Sequence, residues 1–366
     1  MRGLYLNIQQ EKWIYDALNT LKIPHKAIEF PPETQTRGLL VYNPDEWKQK
    51  PMYHDRGNEL FVAVYGWFVY KNEKNNLERF AEDFKKKQTR ILDEIDGGIY
   101  LFYIERKGSI YLINDLISLS HHFYDSSLDK FKVAPSPYFF DDKHENTFFK
   151  NFLRRQGHLF GNHTIYNNIK RLEPGAVYFN GPSVPKKYYE LNPGTFNNLK
   201  LLKDIKHLSG LWDMHNRIIP MSGGLDSRLI FACTDIKVAY SYGPPKSKDR
   251  TIAEKFTDYF DAFYGFSLLD PQINKKEKQK VKDLFEGITE KPLIGLLFAF
   301  RHVHAHFPEN YADFDGFIGD VFQKGMYITF SNLKGYLYRL FPSLFYKKFN
   351  GKKAVKTLKY RYNGLN

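Results

Sequence analysis

The feature that most constrains this 366-residue chain is the run Ser222-Gly223-Gly224-Leu225-Asp226-Ser227, followed by Arg228. It comes after the short apolar stretch Asn216 to Met221 and before a helix-like stretch from Ser227 to Thr234. Adjacent glycines let a backbone turn through positive φ and bring bare N–H groups up to an anion, and the hydroxyls of Ser222 and Ser227 add donors. A strand that ends in such a turn, with a helix N-terminus behind it, is a ready-made oxyanion cradle. Asp226 would repel a phosphate by itself. It makes sense if a divalent cation, Mg²⁺ above all, sits between its carboxylate and the phosphates. No Gly-Lys-Ser or Gly-Lys-Thr follows the glycines, which excludes a Walker-type loop.

Composition indicates a folded globular protein, with 42% hydrophobic and 17% aromatic residues. The chain is long enough for two domains. No stretch approaches the roughly 18 apolar residues of a membrane span, and Met1-Arg2-Gly3-Leu4-Tyr5 lacks the apolar core of a signal peptide. A cytoplasmic protein with no membrane partner is expected. The single cysteine, Cys233, excludes an internal disulfide and a multi-thiolate zinc site, and its place on Leu229 to Cys233 reads as packing. Net charge is +13, with a basic, aromatic-interleaved tail from Tyr346 to Arg361. The abundance of lysine, asparagine, tyrosine and phenylalanine points to compositional bias, so a nucleic-acid partner is not expected.

Residues 1–190 alternate aromatic and β-branched runs with turns, which predicts strands at Leu60 to Tyr65, Gly98 to Ile104 and Ser109 to Ile113. Glu105 to Gly108 would join the last two as a hairpin, and a helix from Asn76 to Asp96 would lie on the sheet. The polar run Asn192 to Asn198 reads as a linker. Over 199–366 the pattern becomes strand and helix in alternation: the loop region, a strand at Val238 to Tyr242, then a helix from about Asp249 to Phe263. That order predicts a parallel sheet flanked by helices, with the ligand at the carboxyl ends of the strands.

The loop resembles the PP-loop of ATP pyrophosphatases, and further segments are similar, in order, to the asparagine synthetase family. These are Leu92 to Phe102, Asn114 to Tyr124, Thr164-Ile165-Tyr166 with Ile169 to Gly175, Lys187-Tyr188-Tyr189, and Asp315 to Asp320 with Gly325-Met326-Tyr327. The resemblance implies an α+β N-terminal sandwich of the Ntn-hydrolase (glutaminase) type over 1–190. It implies an α/β parallel-sheet PP-loop domain, like the adenine nucleotide alpha hydrolases, over 199–366 and truncated at its C-terminus. It further implies ATP and Mg²⁺ as cofactors, with Ser222, Gly223, Gly224, Asp226, Ser227 and Arg228 on the phosphates, Ser241 and Gly243 beside the adenine and Gly316 lining the nucleotide. Asp226 and Asp320 would be the metal-binding and catalytic carboxylates, and Asp249 fits an aspartate of the family that follows the second strand.

The implied activity is that of a carbon–nitrogen ligase, an amidotransferase-like enzyme that adenylates a carboxylate for attack by ammonia or an amine. Arg2 stands where the family's glutaminases carry their nucleophilic cysteine, so glutaminase activity is not expected. Phe317 and Val321 replace family glutamates, and the stretch after Tyr327 is short. A homodimer stays open, as do a PP-loop enzyme acting on tRNA and a non-catalytic ATP-binding protein. Two other constellations are weaker. His302, His304 and His306 follow an apolar helix-like run on which that spacing scatters them. Ser118, Ser120, His121 and His122 lack the strained turn of a hydrolase nucleophile.

Overall fold

A computed structural model describes residues 1–315 except 10, 48, 158, 160, 190–197, 214–215, 267–273, 290–302, 304 and 308–310; residues 316–366 lie outside the description. The chain divides into two compact units: residues 1–216, 242–244 and 266–312, and residues 217–241, 245–265 and 313–366. The expected linker falls outside the described residues up to position 197.

The first unit is built on two antiparallel sheets. One is six-stranded in the order β11-β9-β10-β1-β3-β2, with β1 Gly3–Leu6, β2 Lys26–Glu29, β3 Gly38–Tyr42, β9 Phe123–Asp125, β10 Val133–Ala134 and β11 Ile169–Arg171. The other runs β13-β12-β8-β7-β5-β4, with β6 also on β5; here β4 is Met52–Asp55, β5 Leu60–Tyr70, β6 Glu73–Lys74, β7 Ile95–Arg106, β8 Ser109–Asn114, β12 Ala176–Phe179 and β13 Lys186–Lys187. The three strands expected from the sequence are therefore present, and longer than expected. Lys107 and Gly108 have φ 47° and φ 76°, and Arg106 pairs with Ser109 across them. They form the two-residue hairpin turn that the right-handed twist of paired strands favours.

Strand β5 is apolar at almost every position because both of its faces are covered. Phe68 and Tyr70 on one face, with Phe102 of β7, meet Phe80 of the helix α2 (Leu77–Lys87), whose ring stacks on Phe102 at 4.5 Å. On the other face Phe61 and Tyr103 pack with Phe30, in a core shared with Leu4, Leu40 and Val133 of the first sheet. The opposite side of that first sheet buries Tyr5, Val41, Phe123 and Ile169 against α1 (Glu11–Thr20), α3 (Thr147–Gln156) and α7 (Lys275–Leu284). Lys280 of α7 pairs with Asp16 of α1 at 2.6 Å, and the Ser136 hydroxyl donates to Leu284 O at 2.5 Å. The unit is thus layered helix, sheet, sheet, helix.

Two helical expectations need correction. The helix from Asn76 is capped by the Asn76 side chain, which accepts from Arg79 N–H, but it ends at Lys87. Gln88 turns to φ 52°, a 3-10 stretch follows to Glu94, and Ile95 opens β7. Helices α1 and α3, in a region read as mostly strand, place Ile14, Ala17 and Leu18, and Leu153, on the buried side of the first sheet.

The second unit carries a four-stranded sheet in the order β16-β15-β14-β17, with β14 Arg217–Pro220, β15 Val238–Tyr242, β16 Ala262–Phe266 and β17 Ala312–Asp313. β14 and β15 are parallel, with Ile218, Ile219 and Pro220 opposite Val238, Ala239 and Tyr240, and the helix α5 (Leu225–Cys233) crosses between them. The helix expected from Asp249 to Phe263 is instead α6 (Lys248–Ala253), a 3-10 stretch to Tyr259, and the start of β16. The molecule is mixed α+β, antiparallel sheets followed by a sheet with parallel strands and helices. Among the described residues no helix is long and apolar enough to cross a membrane.

Candidate functional site

The loop between β14 and α5 is set by the buried strand before it: Ile219 and Met221 lie in a core with Ile236, Ala239 and Ala253. The Met221 N–H donates to Tyr240 O at 2.7 Å, which carries the parallel pairing one residue beyond β14. Ser222 to Arg228 therefore emerges at the carboxyl end of β14, with the first turn of α5 beginning at Leu225.

Within the loop the Ser227 hydroxyl is the hub. It accepts the Ser222 N–H at 3.4 Å and lies 3.3 Å from the Ser222 hydroxyl, which accepts the Gly224 N–H at 3.1 Å. The Gly223 N–H donates to Asp249 Oδ1 at 3.2 Å. Arg228 turns back on the loop, its Nε donating to Gly224 O at 3.0 Å and a terminal nitrogen to Gly223 O at 3.3 Å. Asp226 sits in the first turn of α5, and its Oδ1 is buried with no hydrogen-bond partner among the described residues.

The expected positive φ of the two glycines is not found. Gly224 has φ −74° as the N-cap of α5, and Gly223 is absent from the left-handed residues. The space beside Gly223 is instead taken up by side chains, since a Cβ there would lie 2.8 Å from Asp249 Oδ1 and 3.0 Å from Ile252 Cδ1 and would displace them.

The structure thus brings Ser222, Gly223, Gly224, Asp226, Ser227 and Arg228 together. Ser241 is buried near the end of β15, the neighbouring parallel strand, and Gly243 has φ 131° and donates its N–H to Phe266 O at 2.9 Å. Gly316 and Asp320, with Phe317, Val321 and the basic tail, lie outside the described residues, as do His302 and His304. Arg250 is committed to an ion pair with Glu254 at 2.9 Å. Cys233 is half-buried at the last residue of α5, and burial pushes its thiol pKa up.

The weak hydrolase constellation resolves into a scaffold. Asp115 accepts the N–H groups of Ile117, Leu119 and Ser120; the Ser120 hydroxyl donates to Asn114 Oδ1 at 2.7 Å and the Ser118 hydroxyl to Leu172 O at 2.9 Å. His122 Nε2 accepts the Leu4 N–H at 2.9 Å, and burial lowers its pKa to about 3, so the ring stays neutral. The two serine hydroxyls thus anchor the loop, one to Asn114 and one to Leu172, and neither bonds to an imidazole among the described residues.

One pair carried no motif in the sequence. The Tyr240 hydroxyl donates to Asp313 Oδ2 at 2.6 Å, and Asp313 Oδ1 is buried without a partner among the described residues. Burial pushes the Asp313 pKa up to about 7, against the lowering effect of the Tyr240 hydrogen bond and with a further push from Asp315. The folded state therefore holds this proton more tightly than the unfolded chain. Stability of the second unit is expected to be greatest with Asp313 protonated, to fall as pH rises from its ordinary value of 3.8 to about 7, and to level off above. Asp313→Asn should remove that slope: its stability relative to wild type should rise between about pH 5 and about pH 8. Hydrogen exchange of the β14 and β15 amides at the two pH values reads this; an unchanged difference would refute it.

Comparison with protein-family models and with curated proteins finds no match to this chain.

Proposed function

We propose that the chain is an ATP-dependent carbon–nitrogen ligase of the asparagine synthetase type, forming AMP and pyrophosphate. In this reading the first unit is a glutaminase-like (Ntn-hydrolase-type) sandwich without its nucleophile, Arg2 standing at that position, and the second is a PP-loop domain. A carboxylate oxygen of the substrate attacks the α-phosphorus of ATP and pyrophosphate leaves. Ammonia or an amine then attacks the acyl carbon, loses a proton and expels AMP. A cytoplasmic setting belongs to this reading.

The observation that carries it is the loop at the carboxyl end of β14, with two serine hydroxyls and the start of α5 around it and, beside it, the buried Oδ1 of Asp226, which has no hydrogen-bond partner among the described residues. Hydroxyls and backbone N–H groups in a fixed turn suit phosphate oxygens, and they stabilise displaced charge without reorganising. A buried carboxylate oxygen without a donor suits a hard cation, so Asp226 fits Mg²⁺, with Asp320 as the second ligand the sequence resemblance implies. When bound, Mg²⁺ would neutralise phosphate charge. The chain's own contribution is to hold and orient the triphosphate and the attacking carboxylate, an entropic advantage that needs no proton donor.

The test is isotope exchange of labelled pyrophosphate into ATP across a panel of carboxylic acids. Exchange is expected with at least one acid and should require Mg²⁺. Protein that binds ATP yet exchanges with no acid would defeat the ligase reading and leave a nucleotide-binding protein.

A further inference from the structure

The loop is held on both sides by its own chain. Arg228 takes the carbonyls of Gly223 and Gly224, while the N–H groups of Ser222 and Gly224 go to the hydroxyls of Ser227 and Ser222. Those hydroxyls belong to the loop, and each can turn to share a second oxygen. The third N–H, that of Gly223, is bound differently. Its acceptor is a carboxylate, Asp249 Oδ1 at 3.2 Å, brought in from the first turn of α6.

A carboxylate oxygen and a phosphate oxygen compete for the same kind of donor and carry charge of the same sign. The glycine is fitted to this contact, because a Cβ at position 223 would stand 2.8 Å from that same carboxylate oxygen. The helix that carries Asp249 is itself capped, the Ser247 side chain accepting the Arg250 N–H at 3.3 Å, and Ile252 Cδ1 lies on the Gly223 side of it, while Asp249 itself is exposed.

We propose that Asp249 is an internal stand-in for a phosphate. Its carboxylate occupies the Gly223 N–H that an incoming phosphate oxygen would take, leaves it when a polyphosphate binds, and so sets the affinity of the loop. The inference rests on the nucleotide reading above. Binding is then an exchange of one anion for another at a fixed donor. A loop already shaped by Asp249 needs no folding step when the ligand arrives, and the cost is weaker binding than a free donor would give.

The experiment uses the full chain and three substitutions, Asp249→Asn, Asp249→Ala and Asp249→Glu, with inorganic pyrophosphate and Mg-ATP as probes in calorimetry. Asp249→Asn keeps an acceptor of the same size and removes the charge; Asp249→Ala frees the N–H. Both should bind pyrophosphate about tenfold more tightly than wild type, and Asp249→Glu should not. Amide exchange at Gly223, followed by NMR, should speed up in unliganded Asp249→Ala and be slowed again by pyrophosphate. Asparagine and alanine variants that bind no tighter than wild type, with unchanged exchange at Gly223, would overturn the proposal while leaving wild-type nucleotide binding intact. Failure of wild type and all variants to bind either probe would overturn the nucleotide reading, and this inference with it.

Discussion

Asp226→Asn is expected to lower Mg²⁺-dependent pyrophosphate exchange by about two to three orders of magnitude, the usual cost of removing one fixed charge-stabilising group from a site. The substitution keeps size and shape, so packing of α5 against β14 should survive. The charge in the first turn of a helix contributes about 0.3–1 kcal/mol, and losing it does not unfold a domain. What changes is a buried oxygen that no donor satisfies among the described residues. In the wild type Oδ1 is desolvated without compensation among the described residues, an arrangement that costs stability unless something else, such as a cation, pairs with it. Asparagine offers a neutral oxygen or an NH₂ there, and the neutral oxygen holds Mg²⁺ less tightly than a carboxylate does. The reading predicts a specific pattern: exchange falls, and raising Mg²⁺ recovers part of the loss. Wild-type exchange with an unaltered Mg²⁺ dependence in Asp226→Asn would remove Asp226 from the site.

Much of this site was legible because its residues are contiguous. Ser222 to Arg228 announce themselves by spacing, and the strand and helix on either side follow from short-range pattern. What the sequence misjudged is why glycine stands at 223. Positive φ is the commonest reason for a glycine, but here φ is not positive and side chains of a later helix crowd the position, a contact that no local pattern encodes. The Tyr240–Asp313 pair was illegible for the same reason: its partners are separated by 73 positions and belong to different strands.

The helices that came out shorter than expected show a related limit. Phe256, Phe260 and Phe263 recur at helical spacing, yet the chain leaves the 3-10 stretch after Tyr259, and the Asp261 N–H bonds to Lys237 O. All three rings pack on the small core around Ile219 and Ala239 although they do not share one helix, so helical spacing of apolar residues did not mark a helix here. Between Gln88 and Glu94, too, Ile91 and Leu92 are buried from a 3-10 turn rather than from a longer helix. Periodicity reports which residues are buried; here it did not report the backbone that buries them.

The largest effect on the fold itself is expected from Gly66→Ala, at about 3 kcal/mol or more of lost stability in the first unit. Gly66 lies within β5 at φ 85°, opposite Tyr100 of β7, and a Cβ there would stand 1.9 Å from Ile99 O. Two costs combine. An L-residue at positive φ is strained by about 1–2 kcal/mol, and the clash is with backbone, which no rotamer change relieves. Relief would require β5 and β7 to separate, pulling Val64, Phe68 and Phe102 from the core beneath α2 and breaking the bond from Trp47 Nε1 to Gly66 O at 2.9 Å. Gly98 on the facing strand is equally constrained, at φ 139° with a Cβ position 2.4 Å from Trp67 O, so the strands approach through a pair of glycines and neither can move aside for the other. Gly97 provides the control, because nothing lies within 4 Å of its Cβ position. Gly97→Ala should therefore change stability by no more than about 0.5 kcal/mol. All four tryptophans, Trp13, Trp47, Trp67 and Trp212, belong to the first unit, so urea unfolding followed by tryptophan fluorescence reads that unit alone. A Gly66→Ala midpoint equal to that of Gly97→Ala would show that β5 and β7 do not approach as described.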